Sequence, residues 1–414
     1  MIDLELCSRS DTLYLIVYLC SNKYVEKSKM FVYLDNQAST PVDSRIIQKM
    51  LPYMSEVYGN PHSNDHFFGW ESQKAVVNSR KQLARFLKSD PEEIVFTSGA
   101  TEANNLAILG LMPTLKALGK RKMLISELEH KCVLECALFA QKQGFEINYL
   151  KPSKAGFIDH NELSEIIDKE VGLISVMAVN NEIGTIQPIK LLCEIAHKFG
   201  AFFHTDAAQA AIFMDLDVKN LGVDILTLSS HKICGPKGIG CAYIKRDIHN
   251  LISPLIHGGG QENGLRSGTV PTTLCVGFGE ACAFAQEERE GNVESLKNLS
   301  NLFWNNLIEK YPQAVLNGSK NNRHPGNLNI EFPGIDAHCL LQSLQPHVAA
   351  STGSACNTGT LEPSYVLKAI GLTENSASSS IRFSFGTQNN EEQIIQAVVQ
   401  IVKAIELLGD TESF

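Results

Sequence analysis

This sequence of 414 residues lacks the marks of a nucleic-acid-binding or disulfide-bonded protein. It has no long run of lysine and arginine, and its net charge of −9 gives no basic surface for nucleic acid. Its 11 cysteines are odd in number and form no CxxC pair, which favours free thiols in a reducing compartment. We therefore expect a cytoplasmic protein that does not bind nucleic acid directly.

The sequence also lacks an apolar run long enough for a membrane. The apolar stretch 13–20 is far shorter than the roughly 20 residues that cross a bilayer. Acidic residues around it, Asp3, Glu5 and Asp11, argue against a secretory signal or an organellar transit peptide. We expect residues 1–29 to be an N-terminal extension, either poorly ordered or not part of the working chain, which would then begin at Met30.

What the sequence does contain is a regular alternation of apolar and amphipathic segments. It is 44% apolar and 20% charged, an ordinary globular composition. Up to about residue 310, runs typical of buried strands alternate with segments of helical periodicity. This order predicts an α/β domain with a mostly parallel sheet covered by helices on both faces. From about residue 312, short strands among helices predict a second, smaller α+β domain.

The main segments of this pattern have defined bounds. Strands are predicted at 31–34, 93–97, 123–126, 145–150, 173–179, 201–204, 223–228, 241–244, 328–332 and 381–384. Helices are predicted at 44–54, 70–87, 100–108, 161–169, 189–199, 272–290 and 292–310.

A lysine follows one of these predicted buried strands. The apolar run 223–228 leads into Ser229, His231 and Lys232, then into a glycine-rich turn and a second strand. Burial favours the neutral form of an amine, and a neutral amine can form a Schiff base with a carbonyl. On this stretch alone, a surface lysine in a turn is an equally good interpretation.

A turn at Gly99 joins the strand 93–97 to a helix that begins near Ala100. The free N–H groups and the dipole at such a helix start favour an anion, and the Thr101 hydroxyl can add a hydrogen bond. An ordinary capped helix is the commoner explanation. A binding site is favoured because many polar residues follow strand ends, and ligands of parallel sheets bind at that edge. These are His130, Asn181, Asp206, Gln209, Ser229, His231 and Lys232, together with the 99–101 turn.

The smaller domain contains a thiol in an unusual setting. Cys356 lies among small residues, in the segment STGSACNTG, rather than among apolar ones. Such a loop suits an exposed, movable thiol, which a reactive cysteine needs. Arg382 is either a surface charge or a clamp for a carboxylate. Cys132 and Cys136 lie one helical turn apart without a second pair of ligands, so we predict no metal site there.

Taken in order, these segments resemble the cysteine desulfurases of the NifS and IscS type, which have the class V aminotransferase fold. The resemblance runs from about residue 32 to about residue 386. It rests on LDNQASTPVD, GNPHS, VFTSGATEANN, EHK, VNNEIG, HTDAAQ, SSHKICGPKGIG, HGGGQENGLRSGT, STGSAC, LEPSYVL and SIRFSFG. It implies a homodimeric enzyme of the aspartate aminotransferase-like fold type that uses pyridoxal 5′-phosphate (PLP) and converts L-cysteine to L-alanine.

The resemblance implies roles for single residues. Lys232 would hold PLP covalently, and Asp206 would pair with the ring nitrogen, so that the ring withdraws electrons. His130 would stack on the ring and transfer protons. Cys356 would take the sulfur as a persulfide and pass it to an iron–sulfur scaffold protein or a thiolation relay.

The other implied roles are contacts with the cofactor or the substrate. Gln209 would contact the ring oxygen, and Asn181 and Arg382 would bind the carboxylate of L-cysteine, with Asn181 also beside the ring. The phosphate would be bound by Ala100, Thr101, Ser229 and His231, and by Thr269 of the neighbouring subunit. Two features depart from the family: Ser39 replaces a more usual threonine, and Asn357 and Gly359 alter the loop after the nucleophile, which affects the choice of partner.

We expect residues 42–290 to form the large PLP-binding domain, and 30–41 with 291–414 to form the small domain that carries the cysteine loop. Two other functions remain open. One is a PLP enzyme of the same fold without persulfide chemistry, such as an aminotransferase or a β-lyase, which Cys356 would distinguish. The other is a non-catalytic docking protein, which would show no visible absorbance from a bound cofactor.

Overall fold

The computed structural model describes residues 31–353 and 363–411, and the side chains of the last helix as far as residue 408. The predicted 1–29 extension and the predicted nucleophile Cys356 lie outside the described residues, as do Asn357 and Gly359.

Twelve strands are described, many of them preceded or followed by a helix. They are β1 (Val32–Tyr33), β2 (Ile94–Thr97), β3 (Lys122–Ser126), β4 (Glu146–Leu150), β5 (Val171–Ser175), β6 (Phe202–Asp206), β7 (Ile225–Ser229), β8 (Gly240–Ile244), β9 (Val315–Leu316), β10 (Asn327–Glu331), β11 (Val348–Ala349) and β12 (Ser380–Ser384).

The helices fall into two groups, before and after residue 288. The first group is α1 (Ser44–Met50), α2 (Pro52–Ser55), α3 (Phe67–Leu87), α4 (Ala100–Ala117), α5 (Lys131–Lys142), α6 (His160–Ile166), α7 (Ile189–Lys198), α8 (Val218–Leu221) and α9 (Thr272–Glu287). The second group is α10 (Arg289–Lys310), α11 (Ala337–Ser343), α12 (Tyr365–Ala369), α13 (Glu374–Ser378) and α14 (Glu391–Thr411).

A seven-stranded sheet in the order β2-β8-β7-β6-β5-β3-β4 forms the centre of the larger part. Every pairing in it is parallel except the two made by β8. Strands β5, β7 and β8 of its interior are buried along their whole length, as expected for a sheet with helices on both faces. One face packs residues of α3, α7 and α9, and the other packs residues of α4 and α5. The predicted α/β fold with a mostly parallel sheet is confirmed.

A separate hydrophobic core lies in the C-terminal part. It surrounds the antiparallel sheet β12-β10-β9 and the parallel pair β1-β11. Phe303 of α10, Phe332 and Phe383 pack in it, and so do Val32 and Leu34 from the start of the described chain. This grouping supports the predicted small domain built from both ends of the chain, whose bounds stay a prediction.

Several predicted element bounds differ from the structure. The helix predicted at 70–87 begins at Phe67, because His66 caps it by accepting the N–H of Gly69 at 3.1 Å. The strand predicted at 173–179 is β5, which ends at Ser175, and the chain beyond it forms part of the cavity described below.

The described residues also bear on the cysteines and on a membrane. All eight described cysteines are free. Among the described helices, none combines the length and the apolar composition that crossing a bilayer requires.

The antiparallel strand β8 lies directly behind the turn that starts α4. A Cβ atom on Gly240 would lie 2.5 Å from the carbonyl oxygen of Leu228 and 2.7 Å from the backbone of Gly99. Only a residue without a side chain allows β7, β8 and the Gly99 turn to approach this closely.

We predict that Gly240→Ala lowers the free energy of unfolding by about 1–3 kcal/mol, because backbone atoms must move apart to admit the methyl group. It should also weaken binding of an anion at the start of α4. Chemical denaturation of the purified protein measures the first effect. Gly291→Ala is the control, since nothing lies within 4 Å of its added Cβ. Equal midpoints for Gly240→Ala and the wild-type protein would contradict the close packing.

Candidate active site

A cavity of about 470 Å³ opens at the edge of the large sheet where the parallel strands end. Segments that follow β2, β3, β5, β6 and β7 meet there, as expected for a ligand site of such a sheet. The predicted residues that line it are Ala100, Thr101, His130, Asn181, Asp206, Gln209, Ser229, His231 and Lys232. Thr269 and Arg382 do not line it.

Lys232 lies in a short turn directly after β7, on the wall of the cavity. Its Nζ donates hydrogen bonds to the backbone carbonyls of Gln37 at 2.5 Å and Ala38 at 2.9 Å. These carbonyls belong to the polar turn that follows β1. Two backbone carbonyls therefore hold the amine on the wall of the cavity.

His231 and Ser39 lie next to this lysine on the cavity wall. The His231 Nδ1 is 3.3 Å from the hydroxyl of Ser39. Burial lowers the pKa of His231 to about 4, and the positive charges of Lys232 and Lys237 act in the same direction. His231 is thus neutral near pH 7 and available as a hydrogen-bonding partner. Ser39, which departs from the family pattern, keeps a hydroxyl at this position.

Asp206 ends β6 with its carboxylate on the cavity wall. Its Oδ1 accepts the backbone N–H of Ala208 at 2.9 Å, and its Oδ2 accepts the side-chain amide of Asn104 at 2.7 Å. Gln209 lies one turn further on, and its Nε2 donates to the carbonyl of Gln37 at 3.0 Å. The carboxylate and the lysine amine therefore belong to one connected wall.

The turn that precedes α4 provides an anion site. Gly99 begins the helix with φ at 155°, and no side chain caps the first turn, so the positive end of the helix dipole lies on the cavity wall. Glu102, also on this wall, forms an ion pair with Arg266 at 2.8 Å. Burial raises the pKa of Glu102, but hydrogen bonds from Arg266 and Ser98 outweigh burial and lower it overall. Arg266 thus offsets the negative charge of Glu102 beside the helix start.

Asn181 and Arg382 meet on the side of the cavity that faces the small sheet. The Asn181 Oδ1 is buried without a hydrogen-bond partner. Behind it, Arg382 is only 3% exposed, so its interpretation as a surface charge is wrong. The Arg382 guanidinium donates to the carbonyl of Asn181 and to the carboxylate of Asp35, both at 2.7 Å. Its Nε–H is buried and unpaired.

His130 caps α5 and lines the cavity. Its Nδ1 accepts the backbone N–H of Cys132 at 3.2 Å, and the Cys132 Sγ lies 3.0 Å from the same nitrogen. In the neutral ring the proton is therefore on Nε2. Next to it, Glu129 is completely buried and accepts the backbone N–H of Met177 at 2.5 Å. Burial, followed by the charge of Asp206, raises the pKa of Glu129 to about 8.

Comparison with known proteins shows which family this chain resembles. The sequence model of class-V aminotransferases matches residues 32–397. A cysteine desulfurase of Homo sapiens is 44% identical over 379 residues, which is 92% of this chain and 82% of that protein. Cysteine desulfurase IscS of Rickettsia typhi is 42% identical over 389 residues, 94% of each chain.

The chain belongs to the class-V aminotransferase family, among the cysteine desulfurases.

Solved structures agree with this assignment. A NifS-like protein superimposes with a TM-score of 0.86 at 33% identity, over 91% of this chain and 100% of that chain. A structure described as SspA in complex with cysteine gives a TM-score of 0.75 at 38% identity, over 85% of this chain and 98% of that one. The predicted fold type, dependence on PLP and cysteine desulfurase activity are therefore confirmed at the level of the family.

The residues present fit the cofactor of this family. PLP has an aldehyde, a ring nitrogen and a phosphate, and the cavity offers an amine at Lys232, a carboxylate at Asp206 and an uncapped helix start at 99–101. The buried Asn181 Oδ1 adds an acceptor without a partner. The role of each residue in the desulfurase stays a prediction.

Sequence reasoning missed three residues that the structure places at or behind this site. Asn104 and Glu129 are buried and bond to residues or backbone groups of the cavity wall, and Cys132 lines the cavity. One signal could have found them: each is close in the sequence to a predicted site residue, Thr101 or His130.

We predict that Glu129→Gln changes the pH dependence of stability. The pKa of Glu129 is raised, so its contribution to stability is complete below the unfolded pKa of about 4.3 and is lost as pH rises to about 8. Glutamine does not ionise. The difference between the melting temperature of the variant and that of the wild-type protein should therefore shift in favour of the variant as pH rises from 5 to 8. Thermal scans across this range measure it.

Glu127→Gln, two residues earlier and only partly buried, is the matched control. A variant at position 129 whose difference from wild type stays constant over the whole pH range would contradict the raised pKa.

Proposed function

We propose that this chain removes the sulfur of L-cysteine through a persulfide on Cys356. The observation that carries the proposal is the single cavity lined by the Lys232 amine, the Asp206 carboxylate and the helix start at 99–101. L-Cysteine as substrate is supported by the similarity to cysteine desulfurases and to SspA, whose structure is described as a complex with cysteine.

In this proposal three cavity residues, Lys232, Asp206 and His130, take part in the chemistry. PLP, when bound, supplies an electron-withdrawing ring that weakens bonds at the α-carbon of an attached amino acid. Lys232 would attach the cofactor and afterwards move the α-proton. Asp206 would hold a proton on the ring nitrogen, and His130 would stack on the ring and carry a proton at Nε2.

The remaining contacts orient the cofactor and the substrate. Ala100, Thr101, Ser229 and His231 bind the phosphate, and Gln209 contacts the ring oxygen. We assign the substrate carboxylate to Asn181 and Arg382, because Asn181 lines the cavity and the Arg382 Nε–H behind it is unpaired. A planar guanidinium matches a carboxylate better than an ammonium does.

The described residues on either side of the Cys356 segment support delivery of its thiol to this cavity. The hydroxyl of Ser364 donates to Glu182 Oε2 at 2.5 Å, and a Cβ on Gly353 would lie 3.0 Å from the same oxygen. Glu182 directly follows Asn181 in the sequence, and Asn181 lines the cavity. Both ends of segment 354–362 therefore lie near the cavity, and Cys356 follows Gly353 by three residues, a reach of about 10 Å at most.

The transfer conserves atoms and electrons. The Cys356 thiolate attacks the sulfur of the bound substrate and forms an S–S bond. The bond between that sulfur and the substrate β-carbon breaks, and its electron pair stays on carbon, which gains a proton to give L-alanine. The enzyme keeps the sulfur as a persulfide, and no external oxidant or reductant takes part.

We predict that Cys356→Ala abolishes sulfide release from L-cysteine but keeps the visible absorbance of the bound cofactor, because the cavity residues are unchanged. Sulfide release with a thiol reductant and an absorption spectrum measure the two effects. Cys339→Ala is the control, since Cys339 is exposed and free and plays no part in the proposed chemistry. Normal desulfuration by Cys356→Ala would exclude the persulfide and favour another PLP enzyme of this fold.

We also propose that the working form is a homodimer. A group of exposed apolar side chains on α1–α3 and the segments between them supports a second copy as partner, because clusters of exposed apolar residues mark interaction sites. Its members are Ile47, Leu51, Met54, Tyr58, Phe67, Phe68 and Trp70. Thr269 is exposed and does not line the cavity of its own chain, in keeping with a contact to the neighbouring phosphate.

We predict that Met54→Asp, at a residue that is 66% exposed within this surface, shifts the protein towards the monomer, because a buried unpaired carboxylate is costly. Light scattering after gel filtration measures the mass. Leu118→Asp, at a residue that is also exposed but lies at the end of α4, is the control. A monomeric wild-type protein, or an unchanged dimer for Met54→Asp, would contradict the proposed interface.

The sulfur acceptor and the location are further proposals. An iron–sulfur scaffold protein or a thiolation relay is the acceptor class, as for the family the sequence resembles. We propose a cytoplasmic location because the described thiols are all free. The relatives include both a bacterial protein and proteins named mitochondrial, so fractionation of cells with the tagged chain is the test. Recovery in an organelle would overturn the proposal.

A further inference from the structure

Asn104 lies behind Asp206 and is completely buried in α4. A buried amide is costly unless its donors and acceptor are bonded. Its Nδ2 donates to the Asp206 carboxylate at 2.7 Å and lies 3.2 Å from the Sγ of Cys132. Its Oδ1 accepts from the Thr227 hydroxyl at 2.5 Å and lies 3.1 Å from the Nε2 of His204. Every polar atom of this side chain is therefore used.

The direction of the Asn104 amide is fixed by its neighbours. A carboxylate only accepts hydrogen bonds, so the NH₂ group must face Asp206 and the oxygen must face Thr227 and His204. Burial lowers the pKa of His204 to about 4, so that its ring is neutral. Its Nε2–H then donates to Asn104, and its Nδ1 accepts from the hydroxyl of Ser175 at 2.8 Å. The ends of β5, β6 and β7 are thus joined in one arrangement of hydrogen bonds.

We propose that Asn104 is a positioning residue that holds the Asp206 carboxylate at the angle needed to bind a pyridinium nitrogen in the cavity. The inference rests on the proposed function, which gives Asp206 its role. Asn104 does not line the cavity itself, and the resemblance to the family assigns it no role.

The geometry also shows what its loss would do. Among residues 31–353 and 363–411, two donors hold the Asp206 carboxylate: the backbone N–H of Ala208 on Oδ1 and the Asn104 amide on Oδ2. Without Asn104, the carboxylate can rotate about its last side-chain bond while the cavity wall remains in place. Through Cys132, Asn104 is also linked to the Nδ1 of His130. The Asn104 amide therefore connects Asp206, which is proposed to pair with the PLP ring nitrogen, with His130, which is proposed to stack on the PLP ring.

The test measures cofactor binding by the full chain. Apo-protein of the wild type, Asn104→Ala and Thr227→Val is titrated with PLP and followed by visible absorbance. A hydrogen bond to a charged group is strong, so we expect Asn104→Ala to raise the dissociation constant about tenfold or more. Thr227→Val removes only the hydroxyl that orients Asn104, and should shift the constant in the same direction by a smaller factor. For L-cysteine, kcat should fall while KM changes little.

Asn105→Ala is the matched control, because Asn105 lies on the same helix and its amide donates to the carbonyl of Thr101, not to Asp206. It should bind PLP within about twofold of the wild-type constant. Wild-type PLP affinity and spectrum in both Asn104→Ala and Thr227→Val would overturn the proposal. If Asn104→Ala does not fold, wild-type affinity and spectrum in Thr227→Val are enough to overturn it. A wild-type chain that binds PLP but releases no sulfide would instead contradict the proposed function.

Discussion

The hydrogen bonds from the Lys232 amine to the carbonyls of Gln37 and Ala38 are the contact on which the site depends. Lys232 lies in the turn that follows β7 of the large sheet, whereas the turn at 35–41 follows β1, whose Val32 packs in the small core. The two hydrophobic cores are thus brought together at the amine. Two backbone carbonyls of that turn therefore hold the amine on the cavity wall.

The turn that contains Asn181 and Glu182 has a comparable role on the opposite side. Asn181 lines the cavity and accepts a hydrogen bond from Arg382 through its carbonyl. Glu182 bonds to Ser364, close to Gly353, and so joins the two ends of the segment that contains Cys356. A short stretch of chain therefore links the cofactor pocket, the proposed carboxylate clamp and the proposed nucleophile.

Much of this site could be predicted because its residues follow directly on buried strands. Asp206 and Lys232 lie at or just after the ends of β6 and β7, and apolar runs identify such strands without knowledge of their neighbours. The parallel order of the sheet then requires these ends to meet at one edge. The glycine turn before α4 was predictable for the same reason.

Other features could not be predicted because they depend on contacts between distant residues. Asn104 meets Asp206 across 102 positions, and Glu182 meets Ser364 across 182. Nothing in the neighbouring sequence indicates such pairings. The burial of Arg382 is similar, since the partners that make it tolerable, Asp35 and Asn181, are remote in sequence. Polar residues within apolar segments reveal that a partner exists, but not which residue it is.

The most direct test of the central claim is to locate the cofactor on the chain. Holoenzyme is first reduced with borohydride, which makes the bond between PLP and any lysine permanent. The protein is then digested and its peptides are analysed by mass spectrometry. We expect one modified peptide, with the phosphopyridoxyl group on Lys232. A modified peptide that contains a different lysine, with Lys232 unmodified, would contradict it.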